Sequence, residues 1–180
     1  MASSNQYEFV TEWRVVGSPA EVARVLEDGT DLPRWWPEVY LGAVEVEPGE
    51  RGTHVGRVIA LHTRGWLPYT LRWSFRIEEN RLPEGFSIRA WGDFDGTGVW
   101  TLRDVGAGRT HVRFDWKIVA EKPLLKYLSF LMKPLFRANH EWAMRRGEES
   151  LVRELERRRA ALGTMTAAAA GGPEVGERTV

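Results

Sequence analysis

The chain has 180 residues, 43% hydrophobic and 28% charged, and its 25 basic side chains balance 25 acidic ones. That length suits one domain around one core, and zero formal charge removes any global field that would draw nucleic acid or acidic substrates. The absence of cysteine excludes disulfides, thiol nucleophiles and cysteine metal sites, and fits a reducing, cytoplasmic setting.

Met1 to Gln6 is expected to fray. Residues 7–16 then alternate, with Phe9, Thr11, Trp13 and Val15 on one face and Glu8, Glu12 and Arg14 on the other, which predicts a half-buried strand. The same charges interrupt any apolar core of a signal peptide. Ser18, Pro19 and Glu21 predict a helix start: a hydroxyl N-cap, a proline at the first helical position and a glutamate completing a capping box. Val22, Val25 and Leu26 give that helix a buried stripe. Asp31 is expected to cap a second helical turn, Leu32 to Trp36, which Pro37 ends.

From Tyr40 to Glu121 the pattern predicts strands over 40–47, 53–63, 69–79, 86–92, 97–104 and 109–121. Turn signals at Pro48-Gly49, Gly65, Pro83-Glu84-Gly85, Asp95-Gly96 and Gly106-Ala107-Gly108 separate them. Short connections imply an antiparallel meander. A closing helix is expected from Pro123 to about Arg159, kinked or divided at Pro134. Residues 163–180, rich in alanine and glycine, are read as a disordered tail, which leaves 7–162 as the folded domain. No run reaches the ~20 apolar residues a membrane-spanning helix needs. A sheet with one covered face needs a cover, and only the terminal helix is long enough. The predicted class is therefore α+β: a curved antiparallel seven-stranded sheet wrapped around a long C-terminal helix, with two short helices after the first strand.

On that helix Met132, Phe136, His140, Ala143, Gly147 and Leu151 share one arc. Its ends are bulky and its middle is small or polar, which leaves room for facing tryptophans or for a ligand.

This order, together with Ser18-Pro19-Ala20-Glu21-Val22, Asp31-Leu32-Pro33-Arg34-Trp35-Trp36-Pro37, Gly96-Thr97-Gly98-Val99-Trp100 and the run from Asn139 to Gly147, resembles the START-like (SRPBCC) superfamily. Within it the chain is most similar to the polyketide cyclase/dehydrase and lipid-transport group, over roughly residues 7 to 160. The resemblance implies a helix-grip fold with an apolar cavity between sheet and helix that holds lipids, sterols, polyketides or other ring systems. Members include carriers, cyclases, aromatases and regulatory subunits, so fold alone does not select a function.

The ligand-binding candidates are Trp13, Trp73, Trp100 and Trp116 on covered strand faces, Trp91 and Arg89 on a strand of ambiguous phase, and Phe136 and His140 on the helix. His140 is either a ligand-orienting group or a core histidine bonded to backbone. Arg57 and Arg89 share faces with Ile59 and Trp91, so each needs an anionic partner if buried, or reaches the surface through a bulge. Asp93 and Asp95 read as turn residues beside glycines. No catalytic acid/base pair, metal-ligand spacing, hydrolase elbow or phosphate loop is present, and no cofactor is implied. Residues 124–136 form an amphipathic stretch bearing Lys126 and Lys133, read as a lid over the cavity mouth or, secondarily, as a membrane-touching patch. The expected partner is an apolar small molecule. A polyketide cyclase or aromatase using the same cavity, and a regulatory domain with a filled interior, are the alternatives.

Overall fold

A computed structural model describes residues 6–120 and 129–170. Strand β1 (Gln6–Val16) leads through Gly17 into α1 (Pro19–Leu26), a 3-10 turn (Gly29–Asp31) and α2 (Leu32–Trp35). Six strands follow: β2 (Tyr40–Glu47), β3 (Val58–Arg64), β4 (Thr70–Asn80), β5 (Gly85–Gly92), β6 (Phe94–Asp104) and β7 (Arg109–Ala120). The last element is α3 (Ser129–Ala170). The strands form one antiparallel sheet in the order β1-β7-β6-β5-β4-β3-β2. This is the predicted helix-grip arrangement, with the sheet curved around the long terminal helix.

Alternation places the core. Tyr7, Phe9, Trp13 and Val15 of β1 are buried, while Glu8, Val10, Glu12 and Arg14 are exposed. Val112, Phe114 and Trp116 repeat the pattern on β7. Each such side chain contributes about 1.5–3 kcal/mol by leaving water. The capping box forms as expected. Ser18 N–H donates to Glu21 Oε2 at 2.8 Å, and Glu21 N–H donates to Ser18 Oγ at 3.3 Å. The other Glu21 oxygen accepts from Arg159 Nε at 2.8 Å, which ties the start of α1 to α3.

Several boundaries differ from the sequence reading. The strand expected from residue 53 begins at Val58, because Gly52, His54 and Gly56 all have positive φ and cannot extend a strand. The turn expected at Asp95-Gly96 is shifted: Asp93 alone links β5 to β6, and Asp95 and Gly96 already pair with β7. Asp93 does act as a turn residue, its carboxylate accepting from Arg72 N–H at 2.7 Å. Asp31 makes no side-chain cap on α2; its carboxylate is taken by Arg34 at 2.6 and 2.7 Å, and Asp28 caps the preceding turn instead. Helix α3 runs through Pro134 undivided and continues to Ala170, so the alanine-rich segment up to that point is helical, in keeping with alanine's helix propensity. The amphipathic stretch 124–136 falls mostly outside the residues whose side chains are described, as do residues 1–5 and 171–180.

Candidate functional site

The small middle of α3 is treated in two ways. At Gly147 the space is filled: a Cβ there would lie 2.3 Å from Cζ2 of Trp36. The indole comes from the end of α2, not from the sheet, and is 2% exposed. It packs edge-on to Trp13 at 5.9 Å and to Tyr40 at 5.1 Å. One turn earlier, at Ala143 and His140, the space stays open. A cavity of about 210 Å³ lies there between α3 and the inner face of the sheet.

Its sheet wall is a set of touching rings. Trp100 stacks on Phe114 at 4.1 Å, Phe114 on Trp116 at 5.3 Å, and Trp116 lies 5.9 Å from Trp73, with Phe94 closing the corner. These rings stand on β6, β7 and β4, brought side by side by register: Gly98 lies opposite Trp116 and Trp100 opposite Phe114. Gly98 has no side chain because a Cβ would lie 2.8–2.9 Å from Phe114, Ile88 and Trp116, so the glycine lets the large rings meet. Trp73 Nε1 donates to the buried Thr63 hydroxyl at 3.0 Å.

Polar groups come from α3 and from the strands and loop around it. His140 stacks on Phe9, centroids 4.2 Å apart, with its Nε2 3.4 Å from Thr11 Oγ1. Burial, aided by the neighbouring Arg137 charge, lowers its pKa to about 4, so the imidazole is neutral at pH 7. Burial raises the Tyr40 and Tyr69 phenols, which therefore remain protonated donors. Asn139 Oδ1 accepts from the backbone N–H groups of Trp66 at 2.9 Å and Leu67 at 3.3 Å, which fastens the β3–β4 connection against α3. Gly65 is required there, since a Cβ would overlap the Asn139 carboxamide. Exposed Arg64 and half-buried Gly65, Tyr69 and Asn139 all border the cavity, so its mouth lies between this connection and the helix.

Of the residues expected from sequence, Trp73, Trp100, Trp116, Phe136 and His140 border the cavity together. Three do not. Trp13 faces inward but is core, 2% exposed behind Trp100, whose ring lies 5.5 Å away. Arg89 and Trp91 point outward, because β5 takes its phase from Phe86, Ile88 and Ala90, all buried. Arg57 lies outside the cavity as well and finds its anionic partner in Glu45 at 2.6 Å. Trp36, Tyr40, Thr63 and Phe94 border the cavity without being expected as ligand-binding residues from sequence. The signal for Trp36 was present: Gly147 on a buried arc demands a large facing side chain, and the Trp35-Trp36-Pro37 turn offers one. Among the described residues no group of three His, Asp or Glu side chains is placed to hold a metal ion, and no helix is long and apolar enough to cross a membrane.

The family model for polyketide cyclase / dehydrase and lipid transport matches residues 6–156. The chain belongs to that family. Its fold is similar to that of the Zhui aromatase/cyclase from Streptomyces sp. R1128, with a TM-score of 0.68 at 16% identity over 85% of this chain and 95% of that one. A START superfamily protein from Mycobacterium smegmatis superposes with a TM-score of 0.60 at 13% identity, covering 83% of this chain and 97% of the other. The two-domain aromatase/cyclase BexL of the BE-7585A biosynthetic pathway gives 0.68 at 12% identity over 86% of this chain. This family member spans about half of BexL's length, 52%. A comparison with curated proteins gave no match. At these identities the likeness to solved structures is one of fold. The family assignment supports a ligand-binding or cyclase role.

Proposed function

We propose that this domain binds an apolar, ring-containing small molecule in the cavity between sheet and α3, as a carrier or receptor. The observation that carries this reading is the make-up of the wall: a continuous set of aromatic rings with a few neutral polar groups, among them Tyr40 and Thr63 on the sheet and Asn139 and His140 on the helix. Ring faces offer dispersion and stacking to a flat ligand, and the few polar groups set its orientation. A volume of about 210 Å³ is below the ~300–1,000 Å³ of sites for drug-sized ligands. A cavity of ~150 Å³ accommodates benzene, so the natural guest is a compact ring system of about two rings rather than a long acyl chain.

The cyclase alternative would use the same cavity, with neutral His140 polarising a carbonyl or accepting a proton. It has weaker support, because among the described residues no carboxylate or lysine borders the cavity to complete an acid/base pair. A domain with a filled interior is disfavoured by the open space itself.

The test is native mass spectrometry of protein from its source organism, with solvent extraction of anything retained, alongside an Ala143→Phe variant. Ala143 borders the cavity, and a phenyl group there occupies the ligand's place. The expected result is a bound small molecule in the wild type and none in the variant. Wild-type protein that arrives empty and takes up no one- or two-ring compound from a panel would overturn the reading. Turnover of a linear poly-β-ketone chain, lost in His140→Phe, would instead favour the cyclase.

A further inference from the structure

We infer that the cavity discriminates by charge: it accepts uncharged hydroxylated or carbonyl-bearing ring compounds, excludes their carboxylated analogues, and uses His140 as the residue that reads the polar substituent. The inference rests on the binding reading above and adds the chemical class of the ligand.

The argument begins from what borders the cavity. Among the described residues it includes no aspartate, glutamate or lysine, and the one guanidinium among them, Arg64, is exposed. Arg64 is already engaged, its Nε donating to the Glu38 carbonyl at 3.1 Å. An exposed cation at a mouth gains little from an ion pair, because water screens it. A carboxylate carried past it among Trp73, Trp100 and Trp116 would be stripped of water and, among the described residues, meet no buried counter-charge. Isolated burial of an ionised carboxylate is among the costliest transfers a protein interior can make.

A hydroxyl or carbonyl meets different conditions. Among the described residues the one hydrogen-bond contact of His140 is Thr11 Oγ1, and at 3.4 Å it is long. The ring is held flat by its stack on Phe9, which fixes the direction of its nitrogens without using them. A neutral imidazole has one donor and one acceptor nitrogen, so it can serve a ligand hydroxyl or a ligand carbonyl. Removing such a partner from a ligand already buried leaves a polar group unsatisfied, and that is where discrimination arises.

The experiment is equilibrium dialysis at neutral pH with three probes of equal ring size: naphthalene, 2-naphthol and 2-naphthoate. Wild type, His140→Phe and His140→Gln are compared. In wild type, 2-naphthol is expected to bind at least 100-fold more tightly than 2-naphthoate. His140→Phe is expected to weaken 2-naphthol five- to tenfold while leaving naphthalene within twofold, and His140→Gln, which keeps a donor and an acceptor, is expected to restore most of the loss. Naphthalene binding also reports that each variant retains a folded cavity. Naphthoate binding within tenfold of naphthol, or equal loss of naphthalene and naphthol in His140→Phe, would overturn the charge and histidine inference while leaving the cavity reading intact. Failure of all three probes to bind wild type would overturn both.

Discussion

Helix α3 presents two regions to the same sheet, and they are built on opposite terms. From Phe136 to Met144 its inner face borders open space edged with aromatic rings. From Gly147 to Leu155 the face is sealed: Trp36 fills the Gly147 notch, Leu151 and Leu155 are 0% and 2% exposed, and Glu154 is buried at 4%. That buried carboxylate is not isolated. It accepts from Arg34 at 2.6 and 2.9 Å, from Arg157 at 2.8 and 2.9 Å and from Arg158 at 2.5 Å. Burial alone would raise its pKa, but the arginine hydrogen bonds together outweigh that and hold it well below the usual carboxylate range. The lesson is that small residues on a helix do not themselves make a cavity. Gly147 and Ala143 share one arc, and what separates them is whether a neighbouring element supplies a side chain to enter the gap.

The largest way to break this division is to remove the partition. Trp36→Ala deletes a nearly fully buried indole shared by both regions, and is expected to cost about 3–5 kcal/mol in denaturant unfolding. A loss under about 1 kcal/mol would mean that the sealed region does not depend on Trp36. Glu154→Gln comes next: three guanidinium groups lose their common anion, and stability should fall by about 2–3 kcal/mol, less at high salt if the partly exposed arginines are screened.

The cavity region answers to pH in a separate window. His140 has a folded pKa of about 4 against an ordinary 6.5, so as pH falls below 6.5 the unfolded chain takes up its proton first. Stability contributed by neutral His140 is therefore intact above pH 6.5, declines between 6.5 and 4, and is fully lost below; the decline should be on the order of 1–3 kcal/mol. His140→Phe should flatten that slope in urea titrations. Glu21 of the sealed end, lowered to about 2 chiefly by its hydrogen bond from Arg159 and then by the Ser18 N–H, loses its contribution only as pH falls from about 4.5 towards 2. A single acid transition insensitive to His140 would merge what this division separates. The smallest effect is assigned to the outer face: Trp91→Phe, at a side chain outside both regions, should change stability by less than about 1 kcal/mol and leave probe binding unaltered.

Most of the sheet was legible in the sequence for a local reason. The alternation in 7–16, 71–77 and 112–118 is a property of consecutive residues, and it set the faces of Trp73 and Trp116 correctly. Arg89 and Trp91 were misplaced because Phe86-Ser87-Ile88-Arg89-Ala90-Trp91 carries apolar residues on both faces, so the phase is decided by neighbouring strands. Trp13 faces the right way but at the wrong depth, which no single strand reveals. Asn139 was visible as a polar residue near the arc, yet its role depends on loop N–H groups of Trp66 and Leu67, about seventy positions away. Trp36 required joining two observations, a notch on one helix and an indole on another.

The pairing of β1 with β7 bears on how this molecule is made. Gln6 lies opposite Val119 and Val16 opposite Arg109, so the first strand of the chain closes against the last. Such contacts are far apart in sequence and come late, because the loop between them must be closed before they give anything back. Tyr7, Phe9 and the Thr11 partner of His140 all lie on that first strand. Within this domain β1 is synthesised before β7, the strand it pairs with, and before α3. The pocket therefore needs elements from both ends of the domain, and a ligand that binds only the finished form would stabilise their pairing.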